Sequence, residues 1–397
     1  MFDYVIVGGG RAGVSAVEGI RELDPSGSIL LVGAESHLPY DRPPLSKQLW
    51  SGKKEIADIF IHERGFFDHD GVELASVEHV TEIQPGKKTI VTDRGRRDRY
   101  GKLLLATGGT PRRLQIPGAE LEGVLYFRTL DDYIELSRAP KGKSIIVVGG
   151  GFIGSEIAAA LSTHGAHVTM VFPGRRMLAR VFPESLADAI QEQYEQRGIR
   201  ILSEDVPASF TPRDGRLAVE TRRGERLACD SIVVGVGIEP EIGLASSAGL
   251  ALENGIELNE LLESSAPGIF AAGDNANFPY RALGKRMRVE HWDNAVSQGK
   301  AAGRNMAGAG EPFDYLPYFF SDLFEFGYEA VGDVSSSLTT YADWQEENET
   351  GVVYYLEGGR VRGVLLCNIW GKLDEARALI RSGVRVSERD LLGAVHA

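Results

Sequence analysis

Hydrophobic and polar positions along this chain follow two periods. YVIVG (residues 4–8) is a β-branched run without a polar gap, the mark of a strand buried on both faces. It runs into Gly8-x-Gly10-x-x-Gly13 and a helical stretch to about Leu23, and SILLVGAE (28–35) then returns as a second buried strand ending on Glu35. Strand, glycine turn, helix and strand predict a βαβ unit. The same order recurs in SIIVVGGGFIGSEIAAALSTHGAHVTMVF (144–172). LLLATGGTPR (103–112), CDSIVVGVG (229–237) and GIFAAGDNANF (268–278) read as further core strands, two of them ending in small-residue turns. AGAGEPFDY (307–315) reads as a linker. After it the chain turns aromatic at YLPYFFSDLFEFGY (315–328), which predicts strand and core packing for most of its members.

The glycines of each unit have separate tasks. Gly8 allows a tight turn, Gly10 lets the backbone approach a pyrophosphate, and Gly13 lets helix and strand pack closely. The helix N-terminus offers free N–H groups and partial positive charge to phosphates. Glu35, 22 residues after Gly13, can accept both hydroxyls of a ribose. Two complete units imply two dinucleotides, and one flavin with one nicotinamide nucleotide is the economical pairing. The alternative is one working cradle and one relic. Asp274 reads either as a helix N-cap or as an acceptor for a ribityl chain.

Composition narrows the classes. A chain of 397 residues suits two or three domains, and 48 glycines mean many tight turns. A net charge of -13 argues against nucleic acid, and the short basic runs GRRDR and RRML read as solvated loops. Cys229 and Cys367 are too far apart for a local redox or zinc motif, so a reducing, cytoplasmic setting is expected. A strand begins at once, which leaves no room for a signal or transit peptide. The longest apolar run (144–162) holds four glycines and Glu156, so no membrane span is expected.

Taken together, the two GxGxxG units, PYDRPPLSK (39–47), ATGGTPR, AAGDNA and VEHWDNAVSQG (289–299) resemble the FAD-dependent pyridine nucleotide-disulfide oxidoreductases. PYDRPPLSK and EHW-NA-QG resemble the ferredoxin and rubredoxin reductases of oxygenase systems. YGKLLLATGGTPRRL, VVGGGFIGSEIAAAL, GYEAVGDVSSSL, GVVYYL and GVLLCNIW are closer still to the apoptosis-inducing factors. The resemblance runs from Tyr4 to about Gly383.

That resemblance implies an α/β fold: two Rossmann-like dinucleotide-binding domains of the glutathione reductase type and a smaller α+β C-terminal domain. It places an FAD domain at 1–112 and 229–311, an NAD(P)H domain at 113–228 and the C-terminal domain at 312–397. Around FAD it implies Gly8, Gly10, Ala12, Gly13, Glu35, Arg42, Lys47, Val80, Ala106, Thr107, Gly108, Arg112, Gly273, Asp274, Glu290, His291 and Trp292. Around the nicotinamide nucleotide it implies Gly149, Gly151, Ile153, Gly154, Glu156, Arg175, Arg176 and Gly237. Lys47, Glu156 and Phe152 carry the catalytic expectation. Phe152 gates nicotinamide stacking, hydride moves from NAD(P)H to the flavin, and Lys47, held by Glu156, stabilises the reduced ring. No proton chemistry is assigned to His291. Phe172 stands where NADH-specific relatives carry a glutamate and Gly174 where the apoptosis-inducing factors carry an acid. Arg175 and Arg176 follow, which predicts that NADPH is accepted.

Departures from the relatives matter. The first helix lacks the cysteine pair of the disulfide reductases, and no cysteine lies near residues 39–47. TTYADWQEENETGVVYY (339–355) leaves no room for the long C-terminal insertion of animal apoptosis-inducing factors, and their leader and basic DNA-binding surface are missing. Phe320 replaces a usual tryptophan. Two functions are therefore expected in competition. One is an NAD(P)H oxidoreductase, monomer or homodimer, feeding a ferredoxin or rubredoxin-type protein, a quinone or another small acceptor. The other is a redox-sensing interaction protein that holds a long-lived FADH2–NAD charge-transfer complex.

Overall fold

A computed structural model describes residues 1–69, 71–138 and 141–395. The chain divides into two compact units. The first comprises Met1–Asp41, Ile56–Thr110 and Glu239–Tyr318; the second comprises Arg42–Glu55, Pro111–Ile238 and Phe319–Ala397.

In the first unit the predicted βαβ is present. Phe2–Val7 lies between Ile29–Gly33 and Arg97–Leu105, parallel to both, with Val72–Ser76 outside Ile29–Gly33 and Ile269–Ala271 on Arg97–Leu105. Phe2–Val7, Ile29–Gly33, Ile269–Ala271 and the end of Arg97–Leu105 are nearly continuous apolar runs because a parallel sheet is covered on both faces. The start of Arg97–Leu105 also turns into an antiparallel meander with Thr89–Thr92 and Val80–Gln84. The cradle helix Arg11–Arg21 crosses helix Trp292–Met306 at backbone distance. A Cβ on Gly299 would lie 2.3 Å from the Ala12 carbonyl oxygen, and one on Gly303 would lie 2.2 Å from that of Ala16.

The second unit repeats this plan and adds to it. Arg200–Ser203, His167–Phe172, Ser144–Val148, Ser231–Val234 and Val124–Tyr126 form a parallel sheet. Pro207–Arg213, Arg216–Thr221 and Arg226–Cys229 form the meander. The aromatic C-terminal segment enters a five-stranded sheet ordered Tyr318–Leu323, Phe326–Gly332, Arg360–Cys367, Thr350–Glu357, Thr339–Glu346, backed by helix Leu373–Ser382. Of the aromatics in the run 315–328, Phe326 and Tyr328 are buried in the core and Tyr315, Tyr318, Phe319, Phe320 and Phe324 are half-buried; Tyr354 and Tyr355 are buried on the same sheet. Glu329, on the same sheet, has a buried Oε2 with no hydrogen-bond partner among the described residues. Burial pushes its carboxyl pKa up, against the opposing pull of Arg377 and the Gly371 N–H.

The duplication goes deeper than the glycine motif. The Gly8 N–H donates to Val32 O (2.8 Å) and the Gly149 N–H to Val171 O (2.9 Å). At the third strand's end, Val77 and Glu78 donate to Glu35 O and Gly33 O, while Glu204 and Asp205 donate to Gly174 O and Phe172 O. Val77 and Glu204 both adopt the left-handed conformation, at φ 56° and 55°. Glu78 and Asp205 are both buried acids, Glu78 accepting from the Thr92 hydroxyl and Asp205 from the Val206 and Arg223 N–H groups. These paired bonds superimpose Gly33 on Phe172 and Glu35 on Gly174.

No helix among the described residues is long and apolar enough to cross a membrane.

Candidate functional site

Each cradle begins where its first strand ends. Gly8 and Gly149 sit at φ 121° and 126°, and a Cβ would lie 2.1 Å from Ala106 O and 2.2 Å from Gly235 O. No side chain fits at either. Gly13 and Gly154 would press a Cβ to 2.1 Å from Gly8 O and Gly149 O. Gly10 and Gly151 differ: φ is an ordinary -86° and -90°, and a Cβ would meet nothing within 4 Å. Nothing in the fold demands glycine there. The open space lies at the N-terminus of a helix with no side-chain cap and no acid in its first turn, which suits a diphosphate.

Around the first cradle Glu35 Oε2 accepts from the Tyr40 hydroxyl at 2.5 Å. Asp41 Oδ1 accepts from the Trp292 indole N–H at 2.5 Å, and the Arg11 guanidinium lies 5.6 Å from that ring. Gly273 N–H donates to Gln298 Oε1 at 2.8 Å, and a Cβ on Gly273 would lie 3.2 Å from the Ala12 methyl. Gln298 is fully buried, yet among the described residues its Nε2 has no hydrogen-bond partner, and neither do Asn275 Oδ1 and Ser15 Oγ. Buried orphans of this kind are rare unless a ligand or water satisfies them. Open space above Gly10 and unsatisfied groups beside Gly273 fit a bound flavin nucleotide. Asp274 precedes the strand Ala276–Tyr280, so it caps no helix. Ala106, Thr107 and Gly108 follow the strand Arg97–Leu105, and the Thr107 hydroxyl donates to Glu241 O at 2.8 Å. Val80 opens a meander strand, Glu290 pairs with Arg288, and His291 is the N-cap residue of helix Trp292–Met306.

In the second unit, Lys47 and Glu156 meet. Lys47 Nζ lies 2.8 Å from Glu156 Oε1, with side chains 9% and 6% exposed. The same carboxylate accepts from Ser46 Oγ at Oε2 (2.5 Å) and from Ser321 Oγ at Oε1 (2.6 Å). Phe320 lies over Lys47, with Nζ 5.1 Å from the ring centroid, and Phe319 meets Phe152 edge-on at 5.3 Å. Three consecutive residues of one strand thus seal the pair. Ser46, Ser321 and Phe319 were not singled out from sequence; their adjacency to Lys47 and Phe320 was the available signal. Trp50 and Tyr133 brace the Lys47 segment, donating to Leu45 O at 2.8 Å and Leu49 O at 3.3 Å, and Arg42 Nη1 donates to Arg128 O at 2.8 Å. The Arg112 N–H donates to Gly237 O at 3.0 Å, and Ile153 is exposed beside the second cradle. Arg176 is engaged by Asp188 (2.5 Å) and Glu184 (3.1 Å), so the phosphate expectation narrows to exposed Arg175.

Cys229 and Cys367 are buried free thiols whose pKa values burial pushes up, the former to about 12, so neither is poised as a nucleophile. No metal-binding group of side chains occurs among the described residues.

Comparison with known proteins agrees with this geometry. The profile described as "Pyridine nucleotide-disulphide oxidoreductase" matches residues 2–299, and "Apoptosis-inducing factor, mitochondrion-associated, C-term" matches 302–350. The 5,5'-dehydrodivanillate O-demethylase ferredoxin reductase subunit of Sphingobium sp. is 34% identical over 98% of this chain and 96% of its own length. Apoptosis-inducing factor 1, mitochondrial, of Dictyostelium discoideum is 33% identical over 96% of this chain and 78% of its own. Among solved structures, the covalent putidaredoxin reductase–putidaredoxin complex aligns at TM-score 0.92 and 29% identity, covering 100% of this chain and 99% of that one.

Proposed function

We propose, because this chain belongs to the pyridine nucleotide-disulphide oxidoreductase family, that it is an FAD-dependent NAD(P)H oxidoreductase whose electron acceptor is a small iron–sulfur protein. It is a ferredoxin reductase-like oxidoreductase with the two Rossmann-like domains and C-terminal sheet of that group. The observation that carries the finer reading is the doubled cradle, with both Gly10 and Gly151 left open above a helix N-terminus. On this reading residues 1–112 and 229–311 hold FAD, 113–228 hold NAD(P)H and 312–397 form the third domain.

When bound, the flavin supplies a ring that takes a hydride from a reduced nicotinamide and passes electrons on. The residues supply binding and field. The first-turn amides of helices Arg11–Arg21 and Phe152–Thr163 hold the two diphosphates, and Glu35 takes the flavin nucleotide's adenine ribose. Glu156, itself fixed by Ser46 and Ser321, holds the Lys47 side chain in place by an ion pair. A preorganised cation of this kind favours negative charge developing nearby without reorganisation. Phe152, backed by Phe319, screens the reaction from water. The iron–sulfur acceptor is supported by the likeness to a ferredoxin reductase subunit and to a reductase solved with putidaredoxin.

The test is spectroscopic. Purified protein should be yellow, anaerobic NADPH or NADH should bleach the flavin band, and an added ferredoxin or rubredoxin should restore it within the time of turnover. Colourless protein, or a flavin no nicotinamide bleaches, overturns the reading. The match of residues 302–350 to the apoptosis-inducing factor C-terminal profile supports a second reading, a redox sensor. Fast bleaching with slow reoxidation by every acceptor would favour it.

A further inference from the structure

The two halves of the chain bond their cradles in the same way, so each residue of one has a counterpart in the other. Glu35 is the acid of the first cradle. Its carbonyl receives the N–H of left-handed Val77, and the carbonyl of Gly174 receives the N–H of left-handed Glu204. Glu35 therefore corresponds to Gly174, and the carboxylate that would take a ribose diol is absent at that place.

What stands there instead is apolar and then cationic. Phe172, the counterpart of Gly33, is 2% exposed, and its ring carbon Cγ would lie 2.7 Å from a Cβ on Gly150. In the first cradle the corresponding contact is Gly9 with the Cα of Gly33, at 3.5 Å. The Phe172 ring thus fills the floor of the second cradle. Arg175 follows Gly174 directly and is exposed; Asp188, which pairs with Arg176, also feels its charge, but forms its close ion pair with Arg176. Its neighbour Arg176 is neutralised by Asp188 and Glu184. The acid whose backbone bonds Gly174 is Glu204, and its carboxylate faces Arg223 at 3.9 Å.

We infer that the second cradle is built for the 2′-phosphorylated dinucleotide, with Arg175 as the ligand of the 2′-phosphate. A carboxylate at the end of the second strand accepts the 2′- and 3′-hydroxyls of NADH and repels a 2′-phosphate; an arginine near that point accommodates the phosphate. The guanidinium suits the task, since its fork gives two parallel N–H bonds to phosphate oxygens. With the acid missing and the exposed Arg175 next in the chain, NADPH gains a charged contact and NADH loses its usual one. This rests on the reading of the second cradle as a nicotinamide site.

Calorimetric titration of the purified flavin-containing protein with NADP+ and with NAD+ tests it by binding instead of turnover. Wild-type protein should bind NADP+ at least as tightly as NAD+. Arg175→Ala should lower the ratio of NADP+ to NAD+ affinity by about ten- to a hundredfold, the loss of one charged hydrogen bond, and Arg175→Glu should lower it further. Both variants lie on an exposed position, and an unchanged Tm confirms that they fold. Binding of NAD+ alone by the wild type, or an unchanged ratio in both variants, overturns the assignment of Arg175 while leaving the nicotinamide site standing. Binding of neither nucleotide overturns that site and the inference with it.

Discussion

Lys47 Nζ stands 2.8 Å from Glu156 Oε1, and the same carboxylate accepts from Ser321 at Oε1 and from Ser46 at Oε2. The pair is buried, so neither member can be removed without stranding the other. Lys47→Ala and Glu156→Ala should each slow flavin reduction by up to about 10²–10³. Because the two act as one unit, the double variant should be little worse than either single. Stopped-flow reduction of all three variants checks this, and strictly additive losses would show that the residues act independently. Glu156→Ala should also destabilise the fold by about 3–5 kcal/mol, the effect of leaving a buried charge unpaired, read from urea unfolding.

Gly10→Val separates ligand binding from folding. Its φ is ordinary and its surroundings are empty, so the variant should fold with a near-normal circular dichroism spectrum and come out colourless. Gly13→Val, whose Cβ would lie 2.1 Å from Gly8 O, should fail to give soluble folded protein. Recovery of fully yellow Gly10→Val protein would contradict the assignment of the open space to a diphosphate.

The crossing of helices Arg11–Arg21 and Trp292–Met306 should tolerate no added carbon. Gly303→Ala places a methyl 2.2 Å from Ala16 O and must push the helices apart. Overpacking of this kind costs about 1–3 kcal/mol. Thermal unfolding should show a lower Tm, and flavin retention should fall with it because Ala12 lies on the same helix.

Glu329 predicts a pH dependence. Burial raises its folded pKa above the unfolded value, so the folded state holds the proton more tightly. The associated stability is fully present below the unfolded carboxylate pKa and is lost as pH rises through the folded one. Glu329→Gln should therefore raise Tm at pH 7–8, and the gain should shrink toward pH 4. A gain independent of pH would mean that the charge of Glu329 is not the cause.

Much of this was readable from the chain. The βαβ units show in their uninterrupted apolar strands and glycine spacing, because a strand covered on both faces leaves no polar positions to blur the pattern. The Lys47–Glu156 contact came only through resemblance, as no local rule joins residues 109 positions apart (156 less 47). Ser321 was invisible for the same reason: a serine among aromatics says nothing until the strand Tyr318–Leu323 is placed. Asp274 admitted a helix-cap reading because the sequence does not distinguish a turn before a strand from a turn before a helix. Arg175 and Arg176 looked alike, and only the carboxylates of helix Glu184–Gln196 distinguish them.

The matching bonds made by Val77 and Glu204, and by Glu78 and Asp205, in the two cradles make the chain its own reference sequence. Positions that stayed the same in both copies, Gly8 with Gly149 and Gly13 with Gly154, mark what the scaffold itself requires. Gly10 and Gly151 stayed the same without any scaffold reason, which marks the part of the cargo the copies share. Glu35 and Gly174 diverged, with a Cβ on Gly174 lying 3.2 Å from Arg176 O, and on the proposed reading of the two cradles this is the part in which the cargoes differ. A graft of residues 33–36 onto 172–175 would ask whether one half can be taught the other's preference, with the framework held constant by the protein itself.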